Sequence, residues 1–158
     1  MLSNLLGTRT SAFTSRLFDE KSFYSSFLSD MERSSHEVII ESPFISSSRM
    51  RVLMPYFRRL MRRGVRAHII TRDPSILDAP LSMYSEQAIQ EFEALGVQVY
   101  ATANQHHRKI AIVDRQVLWE GSLNILSQSN SREIMRRIDG KQHAEEMFEF
   151  LKLGKFVN

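Results

Sequence analysis

The chain has 158 residues, 42% hydrophobic and 25% charged, an ordinary balance for one globular domain with a substantial core. It contains no cysteine, which excludes disulfides, thiolate nucleophiles and cysteine-ligated zinc or iron–sulfur sites. Lys and Arg total 21 against 18 Asp and Glu, a formal net charge of +3 that permits an anionic partner without requiring one.

Residues 1–17 are Ser/Thr-rich with little periodicity and read as a flexible amino-terminal arm, leaving residues 18–158 as a single domain. The arm lacks the sustained apolar core of an export signal. No run in the chain approaches the ~20 apolar residues that span a bilayer. With the absence of cysteine, these features favour the cytoplasm.

Across residues 18–33, Phe23, Phe27, Leu28 and Met31 recur at helical spacing. The run EVIIESPF, beginning at Glu37 and broken by Pro43, reads as a buried strand. Ser46 to Ser48 are loop-like and suit a helix cap. Over residues 49–63, Leu53, Phe57, Leu60 and Met61 share one side and the arginines another. Pro55 fits only in a first helical turn, and Gly64 suits the position just past a helix end.

VRAHIIT at 65–71 predicts a second strand, 73–82 a loop, 86–95 a helix stopped at Gly96, and VQVY at 97–100 a third strand. A polar connection at 101–105 leads to two strands, 108–113 and 116–119, around a tight turn at Asp114 and Arg115. A last strand at 133–138 and a closing helix at 142–153 complete the reading. Strands alternating with helices predict an α/β layered domain.

The chemistry concentrates in HRKIAIVD, His107 to Asp114. In a strand, His107 and Lys109 project from one face while Ile110 and Ile112 pack on the other. An imidazole beside an ammonium suits attack on a phosphodiester: one acts as nucleophile, the other balances charge on the non-bridging oxygens. Asp114 has the wrong offset to share that face, so an orienting or structural role suits it. Gly121-Ser122-Leu123-Asn124 follows, and Ser122 and Asn124 are small polar groups suited to phosphate oxygens or neighbouring side chains. Glu133 is placed to accept from the second ring nitrogen of a histidine and so orient it.

HHRKIAIVD, GSLN and SREI together resemble the HKD motif of the phospholipase D superfamily, closely over residues 105–138 and by element order over most of the chain. The resemblance implies an α/β sandwich, a mixed β-sheet flanked by helices on both faces, with His107 and Lys109 at one sheet edge. It implies that His107 attacks phosphorus to form a phosphohistidine, that Lys109 and Asn124 hold the phosphate oxygens with Ser122 beside them, and that Glu133 bonds His107. Asp114 supports the motif, and neither metal nor other cofactor is required. Complete sites in the superfamily use two such motifs, whereas this chain has one. That matches the small bacterial nucleases, which pair two subunits, and implies a homodimer with one composite site.

His106 lies outside the motif register, Trp119 reads as packing, and the eight methionines as core filling. His36, His68 and His143 match no partner pattern. Arg58, Arg59, Arg62 and Arg63, with Arg49 and Arg51, form the densest basic cluster; it suits a solvated helix face or, through Arg58 and Arg62, a nucleic-acid backbone. Arg108 and Arg132 flank the motif and are candidate nucleic-acid contacts, with Arg136 and Arg137 nearby. The leading function is a nuclease acting on DNA or RNA without metal. The alternatives are a phospholipase or phosphatidyl transferase, and a non-catalytic nucleic-acid-binding domain of a larger DNA-processing protein.

Overall fold

A computed structural model of the chain describes residues 12–157. In order, the elements are β1 (Thr14–Asp19), α1 (Phe23–Arg33), β2 (Glu37–Glu41), α2 (Ser47–Arg62), β3 (Arg66–Arg72), α3 (Leu81–Leu95), β4 (Gln98–Thr102), β5 (Ile110–Val113), β6 (Val117–Gly121), β7 (Ile134–Asp139) and α4 (Lys141–Phe150), with 3₁₀ turns at Pro74–Ile76 and Leu153–Lys155. The strands form one seven-stranded sheet in the order β1-β7-β6-β5-β2-β3-β4. β2, β3 and β4 run parallel, while β5, β6, β7 and β1 join antiparallel.

Strand alternation sends side chains to two cores. Val38 and Ile40 of β2 join Phe23, Phe27, Leu53, Phe57 and Phe92 beneath α1, α2 and α3. Ile39 joins Ile70, Ile112, Leu118 and Phe148 beneath α4. Because helices cover both faces, all five residues of β2 are buried, which is why the strand reads as an unbroken apolar run in the sequence. The expected mixed sheet with helices on both faces is present.

Five features differ from expectation. Of the predicted arm, residues 1–11 lie outside the described residues, but residues 14–17 belong to β1, registered along β7 from Thr14↔Asp139 to Asp19↔Ile134. Its order comes from that edge and from Phe18 against Trp119, ring centroids 4.9 Å apart, rather than from local periodicity. The Asp19 carboxylate accepts from the Lys21 and Ser22 amides in a turn, so α1 starts at Phe23 and not at residue 18. Pro55 lies inside α2 rather than in its first turn, and the proline nitrogen has no hydrogen for the Arg51 carbonyl. The predicted 73–82 loop holds a 3₁₀ turn and the start of α3, and β5 begins only at Ile110. Gly64 and Gly96 adopt the left-handed conformation expected past a helix end, with φ of 74° and 95°.

Candidate active site

β5 is the fourth of seven strands, so the segment that enters it meets the rim at mid-sheet and not at a lateral edge. The register aligns Glu41, Ile110 and Glu120 across β2, β5 and β6. The end of β2, the entry to β5 and the end of β6 therefore share this rim. His107 stands exposed on it, and Lys109 is buried beside it. The Lys109 ammonium lies 2.7 Å from His107 Nδ1 and also donates to the His107 carbonyl. Burial depresses the Lys109 pKa, with the Glu133 charge opposing that shift. The strand that was expected to align the pair is not formed here; the ammonium contact does the aligning.

The approach to His107 is anchored from behind. Arg72 Nε donates to the His106 carbonyl at 2.6 Å, and its guanidinium stacks 4.7 Å from the Phe44 ring centroid. His106 is buried with Nε2 unpartnered. Its burial, assisted by Arg108 and Arg72, lowers its pKa to about 4.

The remaining motif residues divide. Asn124 stands in the loop after β6, its Oδ1 buried and without a hydrogen bond among the described residues, while its carbonyl accepts from the Ser127 and Gln128 amides and fixes that loop. Ser122 clasps β6 to β7: its hydroxyl accepts from the Ile134 amide at 3.0 Å, and its own amide donates to the Ile134 carbonyl at 2.9 Å. Glu133 stands just before β7, where its carboxylate accepts from the Ser131 hydroxyl at 2.8 Å. Its charge reaches Lys109, but it makes no hydrogen bond to His107, whose Nδ1 is paired with the Lys109 ammonium.

Asp114 lies at the opposite end of β5 from His107. Its carboxylate accepts from the amides of Ser35, His36 and Glu37 at 2.8–2.9 Å, seating the start of β2 on the β5–β6 turn. This is an architectural position, away from the rim that carries His107.

Arg108 and Arg132 are exposed at the rim side. Arg58 and Arg62 are exposed too, but away from this rim. The start of α2 is tied to the Asn124 loop by the Ser46 amide donating to the Leu126 carbonyl. At 1.5 Å rise per residue, Arg58 and Arg62 lie roughly 16–22 Å farther along the helix. Arg58 instead lines a separate groove between α2 and α3.

Two clefts meet at His107 and Arg108. One, of about 620 Å³, is largely apolar and is lined by Leu17, Ile134, Met147 and Phe150 together with Lys109 and Glu120. The other, of about 420 Å³, is more polar and is lined by Glu41, Thr102, Asn104, His106 and Lys155 among others. Glu41, which the sequence reading passed over as the end of an apolar strand, is fully buried there.

A seven-stranded mixed sheet in a helical sandwich, with a histidine–lysine pair at the mid-sheet rim, has the architecture of the phospholipase D fold. Residues 27–152 match the family described as cardiolipin synthase, PLD-like domain, and the chain belongs to that family, within the phospholipase D superfamily. Among solved structures it is similar to Nuc from Salmonella typhimurium, a phospholipase D family member, at 17% identity over 89% of this chain and 93% of that one, with a TM-score of 0.72. It is also similar to NucT from Helicobacter pylori, at 18% identity over 89% and 94% of the two chains, TM-score 0.69. Phosphatidylserine synthase of Haemophilus influenzae Rd KW20 matches at 15% identity over 90% of this chain but 38% of that one, TM-score 0.65. At such identities the likeness is one of fold. No curated protein sequence matches the chain. Among the described residues, no helix is long and apolar enough to cross a membrane.

Proposed function

We propose that the chain is a metal-independent phosphodiesterase that cleaves DNA or RNA through a covalent phosphohistidine at a site shared by two copies. The observation that carries this reading is the exposed His107 with the buried Lys109 ammonium 2.7 Å from its Nδ1. His107 Nε2 bonds phosphorus as the bond to the leaving oxygen breaks, and that oxygen takes a proton from His107 of the second copy. The second imidazole then accepts a proton from water, whose oxygen displaces Nε2 from phosphorus.

Attack through Nε2 requires its lone pair to be free and the ring proton to sit on Nδ1. Lys109 therefore moves from Nδ1 to a non-bridging phosphate oxygen, and Glu133 accepts Nδ1–H in its place. The proximity of the Glu133 charge to Lys109 supports this exchange. The unpartnered Asn124 Oδ1 marks an amide whose other end, the NH₂, suits a phosphate oxygen.

A second copy is needed to supply the second histidine. Leu17, Ile134 and Phe150, 57%, 54% and 80% exposed, surround the apolar cleft at His107. A two-fold contact there would bury them and bring the two histidines together. A cysteine-free chain suits the reducing cytoplasm.

The test is cleavage of fluorescent single- and double-stranded DNA and RNA in excess EDTA, with His107→Ala as control. Cleavage by the parent alone is expected. Binding without turnover by a folded dimer would refute the enzyme reading in favour of a binding domain. The same exposed apolar side chains favour a second reading, a lipid phosphodiester; headgroup release from phospholipid vesicles without nucleic-acid cleavage would establish it.

A further inference from the structure

β2 buries a glutamate at each end, and the two are partnered very differently. Glu37, at the end away from His107, has Arg115 Nε at 2.6 Å and Arg66 at 3.4 Å. Glu41, at the His107 end, is completely buried, and neither carboxylate oxygen makes a hydrogen bond among the described residues. Among the described residues its one ionic partner is Arg108, with Nε 3.2 Å from Oε2. A carboxylate buried with so little compensation costs stability, and its position is informative. Burial raises its pKa and Arg108 opposes the shift.

Arg108 sits between His107 and Lys109 in sequence, with its side chain 51% exposed. Glu41 engages the Nε edge from beneath. The two terminal guanidinium nitrogens make no hydrogen bond or ion pair among the described residues. They are the part of the group suited to grip an oxyanion with two parallel bonds. The cleft they border also carries exposed Lys155 and the amides of Asn104 and Gln105, and Glu41 is the one carboxylate among its lining residues. Its volume of about 420 Å³ falls in the range of small-ligand clefts, roughly 300–1,000 Å³. Away from its His107–Lys109 corner the neighbouring cleft is largely apolar, and its exposed Leu17, Ile134 and Phe150 form the face assigned above to the second copy.

We propose that this polar cleft is the subsite for the phosphate adjacent to the scissile one in a polynucleotide, with Arg108, held by Glu41, as its clamp and Lys155 opposite. The proposal rests on the nuclease reading and deepens it: it names a substrate with a second phosphate, which a simple glycerophospholipid headgroup ester lacks. Glu41 is a positioning residue, acting through Arg108.

The experiment compares kcat/KM on a single-stranded oligonucleotide with that on bis(p-nitrophenyl) phosphate, which has one phosphate only. Arg108→Ala is expected to lower the oligonucleotide-to-small-diester ratio about ten-fold, in KM rather than kcat, the order of magnitude for one charge-assisted contact. It should also reduce the log–log salt slope of oligonucleotide binding by about one. Glu41→Gln should lower the ratio in the same direction and add nothing to Arg108→Ala in the double variant. Lys155→Ala, at an exposed position, gives a readout that does not depend on refilling the buried Glu41 site. Oligonucleotide cleavage by the parent with an unchanged ratio in both Arg108→Ala and Lys155→Ala would overturn the subsite and leave the nuclease reading intact. A parent that hydrolyses the small diester but no oligonucleotide would overturn both.

Discussion

Asp114 belongs to the motif, yet its geometry assigns it to architecture, and replacing it separates the two roles. Its carboxylate accepts from three amides at 2.8–2.9 Å, and its own φ is 53°, a left-handed value that Asp and Asn tolerate better than Ala. In Asp114→Ala, the amide of buried Glu37 loses its side-chain acceptor, at about 1–3 kcal/mol. The Ser35 and His36 residues are exposed, so water replaces most of what they lose. Alanine in the left-handed region adds about 1–2 kcal/mol. The sum is about 3 kcal/mol, or a fall in Tm of about 6–12 °C for a chain of this size. Asp114→Gly relieves the backbone cost alone, and Asp114→Asn keeps an acceptor and the conformation, so the order of stability is Asn, then Gly, then Ala. Burial raises the Asp114 carboxyl pKa, but the three amide bonds outweigh burial and hold it below the usual value. Its stabilisation is therefore complete above about pH 4 and is lost as pH falls through the lowered folded value; Asp114→Asn lacks that limb. Thermal melts of the series across pH, with diester hydrolysis measured well below each Tm, provide the assay. A loss of kcat of a hundred-fold or more in Asp114→Asn with an unchanged Tm would refute the architectural assignment.

Two further outcomes follow from the rim. A Cβ added at Gly121 would lie 2.1 Å from the Ile134 carbonyl oxygen and 2.9 Å from Met135 Cα, so Gly121→Ala must part β6 from β7 beside Ser122. It should lower Tm and diester hydrolysis together, and a crystal structure or Tm indistinguishable from the parent's would contradict that packing. His106, lowered to about 4 from 6.5 chiefly by burial, binds its proton more readily in the unfolded chain. Stability therefore falls as pH drops from about 6.5 to about 4 and the contribution is fully lost below that. His106→Gln should flatten the Tm–pH curve in this window, and an unchanged curve would place the acid sensitivity elsewhere.

How much of this was legible in the sequence depended on whether the determining contacts were local. The β5–β6 turn at Asp114 and Arg115, the strand EVIIE and the helix stops at Gly64 and Gly96 were readable because turn chemistry and apolar runs act over a few residues. β1 was not, since its order comes from β7 at the other end of the chain. Arg137 flanks the motif in sequence but turns inward, donating Nε and Nη2 to Asp30 at 2.8 and 2.9 Å. Trp119 packs as expected and also donates to that carboxylate. The basic cluster at Arg58 and Arg62 was visible as composition, while its distance from His107 was set by the direction of α2. Glu41 is the instructive omission. An acidic residue closing a hydrophobic strand is indistinguishable in sequence from a solvated strand end; only sheet order, which puts β5 against β2, brings Arg108 over it. The motif thus points to the atoms that the proposed reaction uses. What aims them is carried by the sheet register, and the cleft that Glu41 and Arg108 form together is where substrate choice is to be sought.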